Sequence, residues 1–340
     1  MITNSVRVFS VCVLLASTGC SAAAAQGAAN VRSDRASAPS TEFPLKPVRV
    51  IVPQTPGSSA DFFARLIGEM VSDKWKVPVV IDNRSGAGGI VAMDAVAKSN
   101  ADGYTLAMST EGTVAILPHL YKNLPYSTLS DLAPITRVAA APYVLILHPS
   151  VQAKSVKELI AYAKAKPGEI NFASGGNGTG THLSGELFKM MSATNIVHVP
   201  YKGASLGLTD VVGGQVQMMF VGLPPAVAHI RAGRLRALGV TTRNRNFLVP
   251  EVPTVAEGGL PGYEVEPWWG MLAPAKTPSS ILARLNADLS QIVGTAVYKQ
   301  RLASQGAAPV ADTPAEFRKV IKAEDEKWGR VIKSADVRVQ

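Results

Sequence analysis

Val48–Met70 reads VRVIVPQTPGSSADFFARLIGEM, a β-branched run that passes through a Pro-Gly-Ser-Ser-Ala-Asp turn into a helical pattern. Apolar pairs recur at four-residue steps, Phe62/Phe63, Leu66/Ile67 and Met70/Val71, which predicts a helix starting near Ala60. The first N–H groups of such a helix have no intrahelical partner and point back at Gly57, Ser58 and Ser59. A strand–turn–helix of this kind can hold an anion. It is not a nucleotide loop: no Lys follows Gly57 as a Walker A sequence needs, and Ser59 and Phe62 stand where a dinucleotide fingerprint has glycines. The anion it suits is smaller than a nucleotide.

The turn has a counterpart in INFASGGNGTGTHLSGELFKMM, Ile170–Met191, where a short strand and the Gly-rich turn Ser174–Gly180 open a second helix. Glycine lets backbone approach a ligand closely, and Ser58, Ser59, Thr179 and Thr181 add hydroxyls that can donate to oxyanions. A third turn, IDNRSGAGG, carries Arg84, which can pair either with a ligand carboxylate or with a neighbouring acid or carbonyl. Asp61 sits in the first helical turn, where it can cap, brace the loop or accept from a ligand.

Strand-like and helix-like runs alternate along most of the 340 residues, which predicts parallel sheets covered by helices. Two longer extended runs, Pro134–Pro149 and Gly262–Ala275, bracket the middle third and read as crossovers between two lobes. The expected division is residues 43–142 and 261–340 for a discontinuous first lobe and 143–260 for the second. Residues 1–25 read as a secretory leader, with an apolar run from Val8 to Ala16 and Ala-x-Ala cleavage sites, and 26–42 as a disordered tether. Cys20 after Ser-Thr-Gly offers a lipoprotein alternative to release into the periplasm. Both cysteines, Cys12 and Cys20, fall in the leader, so the mature domain has no disulfide framework and no thiolate metal site. The net charge of +9 is spread along the chain; its densest run, Arg231–Arg245, has no interleaved aromatics and does not read as a nucleic-acid surface.

These residues resemble the substrate-binding proteins of tripartite tricarboxylate transporters, the Bug family. The resemblance runs from Phe43 over nearly the whole chain. It rests on FPLKPVRVIVPQTPGSSAD, VIDNRSGAGGIVAMDAVAKSNADGYTL, GTGTHLSGELF with HVPYKGASLGLTDVVGGQVQMMF, and RLRALGVTT with VPTVAEGGLPGYEVEPWWGMLAPAKTP. Ser58 departs from the second Gly usual in the family, and His119 from a small residue. The resemblance implies a type II periplasmic binding protein, two Rossmann-like α/β lobes joined by crossover strands, that closes on a small carboxylate and delivers it to transporter membrane subunits. It implies no enzyme activity, no cofactor and no metal, a monomer, and as ligand a di- or tricarboxylate, an aromatic acid or an acidic amino acid. The implied contacts are Thr55, Gly57, Ser58, Ser59 and Asp61 in the first turn, Gly88, Thr110 and Thr113 elsewhere in the first lobe, and Asn177, Gly178, Thr179, Thr181, His182, Tyr201 and Asp210 in the second.

Three other readings compete. Gly203–Gly207 matches the G-x-S-x-G elbow of a serine hydrolase around Ser205, but the only later His is His229 and the only acid between them is Asp210, one helical turn from Ser205. His182 and Glu186 stand four apart and could share a metal, with no third ligand at a recognisable spacing. A receptor that presents its ligand to a sensor would have the same fold as a transporter receptor. Trp268 and Trp269 can stack a ligand, but read first as anchors of the crossover strand in the interlobe core.

Overall fold

The computed structural model describes Phe43–Ser334 and Val337; the expected leader, tether and Cys20 lipidation site lie outside the described residues. Val48–Val52 forms β1, with four of its five side chains buried. The next helix, α1 (Ser59–Trp75), is capped by Ser58, whose Oγ accepts from the Asp61 N–H at 3.3 Å. It ends where Lys76 turns left-handed at φ 58°. Phe63, Leu66, Ile67 and Val71 are its buried face.

The chain continues through β2 (Val79–Asn83), a 3₁₀ turn at Ala87–Gly89, α2 (Ile90–Ala97), β3 (Thr105–Thr110), a π-helical turn at Gly112–Ile116, α3 (Leu117–Leu120), α4 (Thr128–Asp131) and β4 (Leu132–Ala140). Two residues later β5 (Tyr143–Leu147) opens a second sheet, followed by α5 (Val156–Ala165), β6 (Asn171–Ser174), α6 (Gly180–Ser192), β7 (Val197–Pro200), α7 (Ala204–Val212), β8 (Met218–Gly222), α8 (Leu223–Arg231) and β9 (Arg236–Val240). The chain then returns as β10 (Trp268–Pro274), α9 (Ser279–Gly294), α10 (Ala296–Ala303), β11 (Ala308–Pro309) and α11 (Pro314–Ser334).

The strand orders are β11-β4-β10-β3-β1-β2 and β7-β6-β8-β5-β9, one sheet per lobe. The parallel pairing predicted from the alternation holds for β2-β1-β3 and β7-β6-β8. The remaining strands make both sheets mixed. β10 runs antiparallel between β3 and β4, and β5 antiparallel between β8 and β9. These are the strands that arrive from the other lobe; they need no return helix across their own sheet and so are free to run against it. The extended run Pro134–Pro149 divides at Ala141 and Pro142 into β4 and β5, and within Gly262–Ala275 only Trp268–Pro274 is strand.

Trp268 and Trp269 are 2% and 1% exposed. Trp268 meets Phe317 of α11 edge-on at 5.1 Å and Trp269 lies 4.6 Å from Phe63 of α1, so β10 is clamped between helices from both ends of the chain. The unusual His119 faces α11, with its Nε2 2.9 Å from Asp325 Oδ1, and takes no part in the cleft.

Candidate functional site

Of the cavities along the seam between the lobes, two share Gln54, and a third, about 260 Å³, is lined by Gly57, Asp61, Arg65, Pro224, Pro225 and Arg301. The larger of the two that share Gln54, about 230 Å³, is walled by Gly86–Gly89 and Pro53 on one side and by Gly175, Asn177, Thr179, Tyr201 and Gly203 on the other. The smaller is about 10 Å³, room for about one water, and lies among Ser58, Ser59, Tyr143, Thr181, Ser205 and Trp269. Four helix N-termini meet there: α1 through Ser58 and Ser59, α6 through Thr181, α7 through Ala204 and Ser205, and α8 through Gly222 and Pro225. The starts of α1, α6 and α7 present unpaired N–H groups and a partial positive charge; α8, whose Leu223 N–H donates to Pro142 O and whose next two residues are prolines, adds only the positive end of its dipole. Among the residues lining the two cavities, Lys202 is the one with a charged side chain.

The lobes touch closely along this seam. Thr55 Oγ1 and Ser205 Oγ are 2.7 Å apart, 150 residues distant in sequence. Gly88, at φ 66°, leaves no room for a Cβ because Asn177 O of the other lobe would overlap it. Gly203 and Gly222 are equally confined, by Thr55 and by the Ser59 hydroxyl.

The residues expected at the site divide into those that wall the cavities and those that brace the walls. Ser58, Ser59 and Thr181 line the smaller cavity, and Gly88, Asn177, Thr179 and Tyr201 the larger. Thr55 contributes through its bond to Ser205. Gly178, at φ 77°, shapes the second turn and donates its N–H to His182 Nδ1 at 3.2 Å. Thr179 caps α6, accepting from the His182 N–H at 3.3 Å and donating to Gly176 O at 2.8 Å.

Gly57, Asp61, Thr110, Thr113, His182 and Asp210, expected as contacts, line neither of the two cavities that share Gln54. Gly57 donates to Asp61 Oδ2 at 2.9 Å, and Arg65 Nε donates to the same oxygen at 3.0 Å. Burial pushes the Asp61 carboxyl up, but hydrogen bonds from Arg65, the Gly57 N–H and Asn83 outweigh it, and the group is held below the usual carboxylate range. Thr110 and Thr113 satisfy each other: Thr113 Oγ1 accepts from the Thr110 N–H at 3.1 Å and donates to Thr110 O at 3.0 Å. His182 stacks on His198 with centroids 4.1 Å apart, and burial, with His198 and Lys189 nearby, holds it at about 3, so it is a neutral acceptor for the turn. Asp210 accepts from the Tyr201 OH at 2.7 Å, which takes up the acid that a hydrolase reading of Ser205 would need. Arg84 pairs with Asp82 at 2.9 Å. His182 and Glu186 stand 3.9 Å apart, and among the described residues no group of three His, Cys, Asp or Glu gathers to hold a metal.

Several lining residues escaped the sequence. The α8 N-terminus was legible in VGLPP, where proline follows a strand-ending Gly, as prolines favour first helical positions. Gln54 and Tyr143 carried no local signal, since a distant segment supplies the other wall, whereas Trp269, read first as a core anchor, also lines the smaller cavity. Glu111 is the least expected. It follows β3 directly, is 1% exposed, accepts from the Tyr143 OH at 2.6 Å through Oε1, and has no partner at Oε2. Burial pushes its carboxyl up to about 7, against the hydrogen bond from Tyr143, which lowers it.

Residues 63–337 match the family model described as the tripartite tricarboxylate transporter family receptor. Protein BugT of Bordetella pertussis is 37% identical over 299 residues, 88% of this chain and 92% of that protein. Among solved structures, Rpa4515 of R. palustris with adipate is 36% identical at a TM-score of 0.85, over 87% of this chain and 99% of that one. MatC from Rhodopseudomonas palustris with bound malate is 31% identical at a TM-score of 0.82, over 85% of this chain and 100% of that one. The two mixed sheets, the seam of helix N-termini between them and this likeness over most of the chain agree, and the protein belongs to the tripartite tricarboxylate transporter receptor family of solute-binding proteins.

Proposed function

We propose that the chain captures a small organic carboxylate outside the cytoplasm and hands it to the membrane subunits of a tripartite transporter. The observation that carries this reading is the smaller cavity, where four helix N-termini and the hydroxyls of Ser58, Ser59, Thr181 and Ser205 converge with no basic side chain among its walls. The space there now holds about one water, so a carboxylate enters as the lobes part, and amide dipoles and hydroxyls then stabilise it without an arginine clamp. The remainder of the acid extends past Gln54 into the larger cavity, whose 230 Å³ suits a molecule of a few carbons. Adipate and malate, held by two structural neighbours, support this size and charge class. The leader read at residues 1–25 supports export, and among the described residues no helix is long and apolar enough to cross a membrane.

A thermal-shift screen over mono-, di- and tricarboxylates, aromatic acids and acidic amino acids tests the reading. A cognate acid at about a hundredfold excess over Kd adds about 2.7 kcal/mol to the folded state. Flat melting curves across the whole panel would overturn it. Ser205→Ala removes the hydroxyl that bridges to Thr55 across the seam, and is expected to weaken binding about fivefold, the effect of one hydrogen bond worth about 1 kcal/mol. Calorimetric titration of that variant with the best acid of the screen measures it.

A further inference from the structure

Glu111 is a buried carboxyl that no step of ligand capture described so far uses. Tyr143, its partner, lines the smaller cavity, so Glu111 stands one hydrogen bond behind the place where a ligand carboxylate binds. Its Oε1 is pressed against Gly180, the first residue of α6, where a Cβ would overlap it. We propose that Glu111 makes acid capture proton-linked: when a carboxylate enters the cradle, the Glu111 carboxyl takes one proton from solvent, so that this corner of the cleft holds one negative charge rather than two.

The proposal rests on the carboxylate reading above. Two carboxylates close together in a site shielded from water cannot both stay ionised at modest cost, and a proton on one of them relieves the repulsion. Glu111 is the group placed to accept it. Among the described residues it has no ion pair, and its Oε2 has no donor to stabilise an ionised form. The surrounding groups do not compensate. Tyr143 of β5 offers a single O–H, and His182 of α6 is neutral. From α11, Glu324 raises and Lys327 lowers the affinity of Glu111 for a proton, so the two oppose each other. With its carboxyl already near 7 in the free protein, a modest push from an incoming anion protonates it in the neutral range.

The test is calorimetric titration of the wild-type protein with adipate and with malate at about pH 6.5 and about pH 8.5, each in two buffers of different ionisation heat. The expected result is net uptake of up to one proton per acid bound at the higher pH, and affinity about tenfold weaker there than at the lower. Glu111→Gln should bind with no proton uptake and a flat pH profile. Tyr143→Phe removes the donor that favours the ionised form, so its affinity should begin to fall at a higher pH than in the wild type. If Glu111→Gln does not fold, the wild type and Tyr143→Phe decide the matter. Wild-type binding that is flat with pH and releases or takes up no proton overturns the proposal and leaves the carboxylate reading standing. A pH dependence that persists unchanged in Glu111→Gln puts the proton elsewhere and also overturns it. Failure of adipate, malate and every other acid of the thermal-shift panel to bind overturns both.

Discussion

Gly178→Val is expected to weaken acid binding by more than a hundredfold, while Arg84→Ala leaves it within about threefold. Gly178 sits at φ 77°, a conformation that a β-branched residue adopts only with strain, and an added Cβ would overlap Leu117 Cδ2. Both effects push the turn Ser174–Gly180 out of place. That turn positions the Asn177 and Thr179 walls of the larger cavity and the start of α6, so its displacement spoils the meeting of helix N-termini as well as the closure of the lobes. The Gly178 N–H would also leave His182, which is too deeply buried to find water in exchange. Arg84 already has its carboxylate in Asp82 and lines neither cavity. Calorimetric titration of both variants, each first shown to be folded by circular dichroism, gives the comparison. The reverse order would mean that an arginine clamp holds the acid and that the glycine turns only join strands to helices.

Glu111→Gln is expected to be more stable than the wild type in mildly alkaline buffer, with an advantage that grows as pH rises and then levels off. An acid whose proton is held more tightly in the folded state than in the unfolded chain loses folding stability as pH rises through the window in which only the unfolded form has ionised. Below the ordinary glutamate value of 4.5 both states are neutral and nothing is lost; as pH climbs to about 7 the unfolded chain releases its proton while the folded one keeps it, and the wild type loses stability throughout that window. Above about 7 both states are ionised and the loss is complete. At about 1.4 kcal/mol per pH unit, the gap amounts to about 3 kcal/mol that glutamine does not lose. Glutamine brings its own fixed difference, since its amide still accepts from Tyr143 but adds two buried donors. The decisive quantity is therefore the change of the difference with pH. Urea unfolding of the ligand-free proteins at several values between about pH 4.5 and pH 8 measures it, and parallel curves would show that Glu111 titrates normally.

The local signals in the sequence were sufficient for the strand–turn–helix units. TPGSSAD and GGNGTGTH each declare a strand end, a cap and a helix start within a few residues, and Ser58 and Thr179 are found as caps. What was not legible is whatever two distant segments decide together. Thr55 meets Ser205 and Glu111 meets Tyr143 because the lobes share a seam, and nothing near any of these residues says so. Asp61, Thr110, Thr113, His182 and Asp210 line neither of the two cavities for a local reason instead. Their residue types suit ligand contacts, but in each case a neighbour a few positions away takes the polar atoms first, through Arg65 and Gly57, the Thr110–Thr113 pair, Gly178 and Tyr201. The mixed character of the sheets was again a matter of distant segments: WWGMLAP reads as a strand, but its direction follows from which lobe the chain has just left.

β10 is a central strand of the first sheet, buried at all seven positions between β3 and β4, yet it is made more than one hundred and twenty residues after β4, once the entire second sheet has passed. As the chain is made, then, the second lobe's strands form one continuous stretch, while the first lobe has β2, β1 and β3 on one side of a central gap and β4 alone on the other, with the apolar rows of β3 and β4 uncovered. The thread of the chain thus makes the second lobe a local unit and the first a unit that only Trp268–Pro274 completes at its centre.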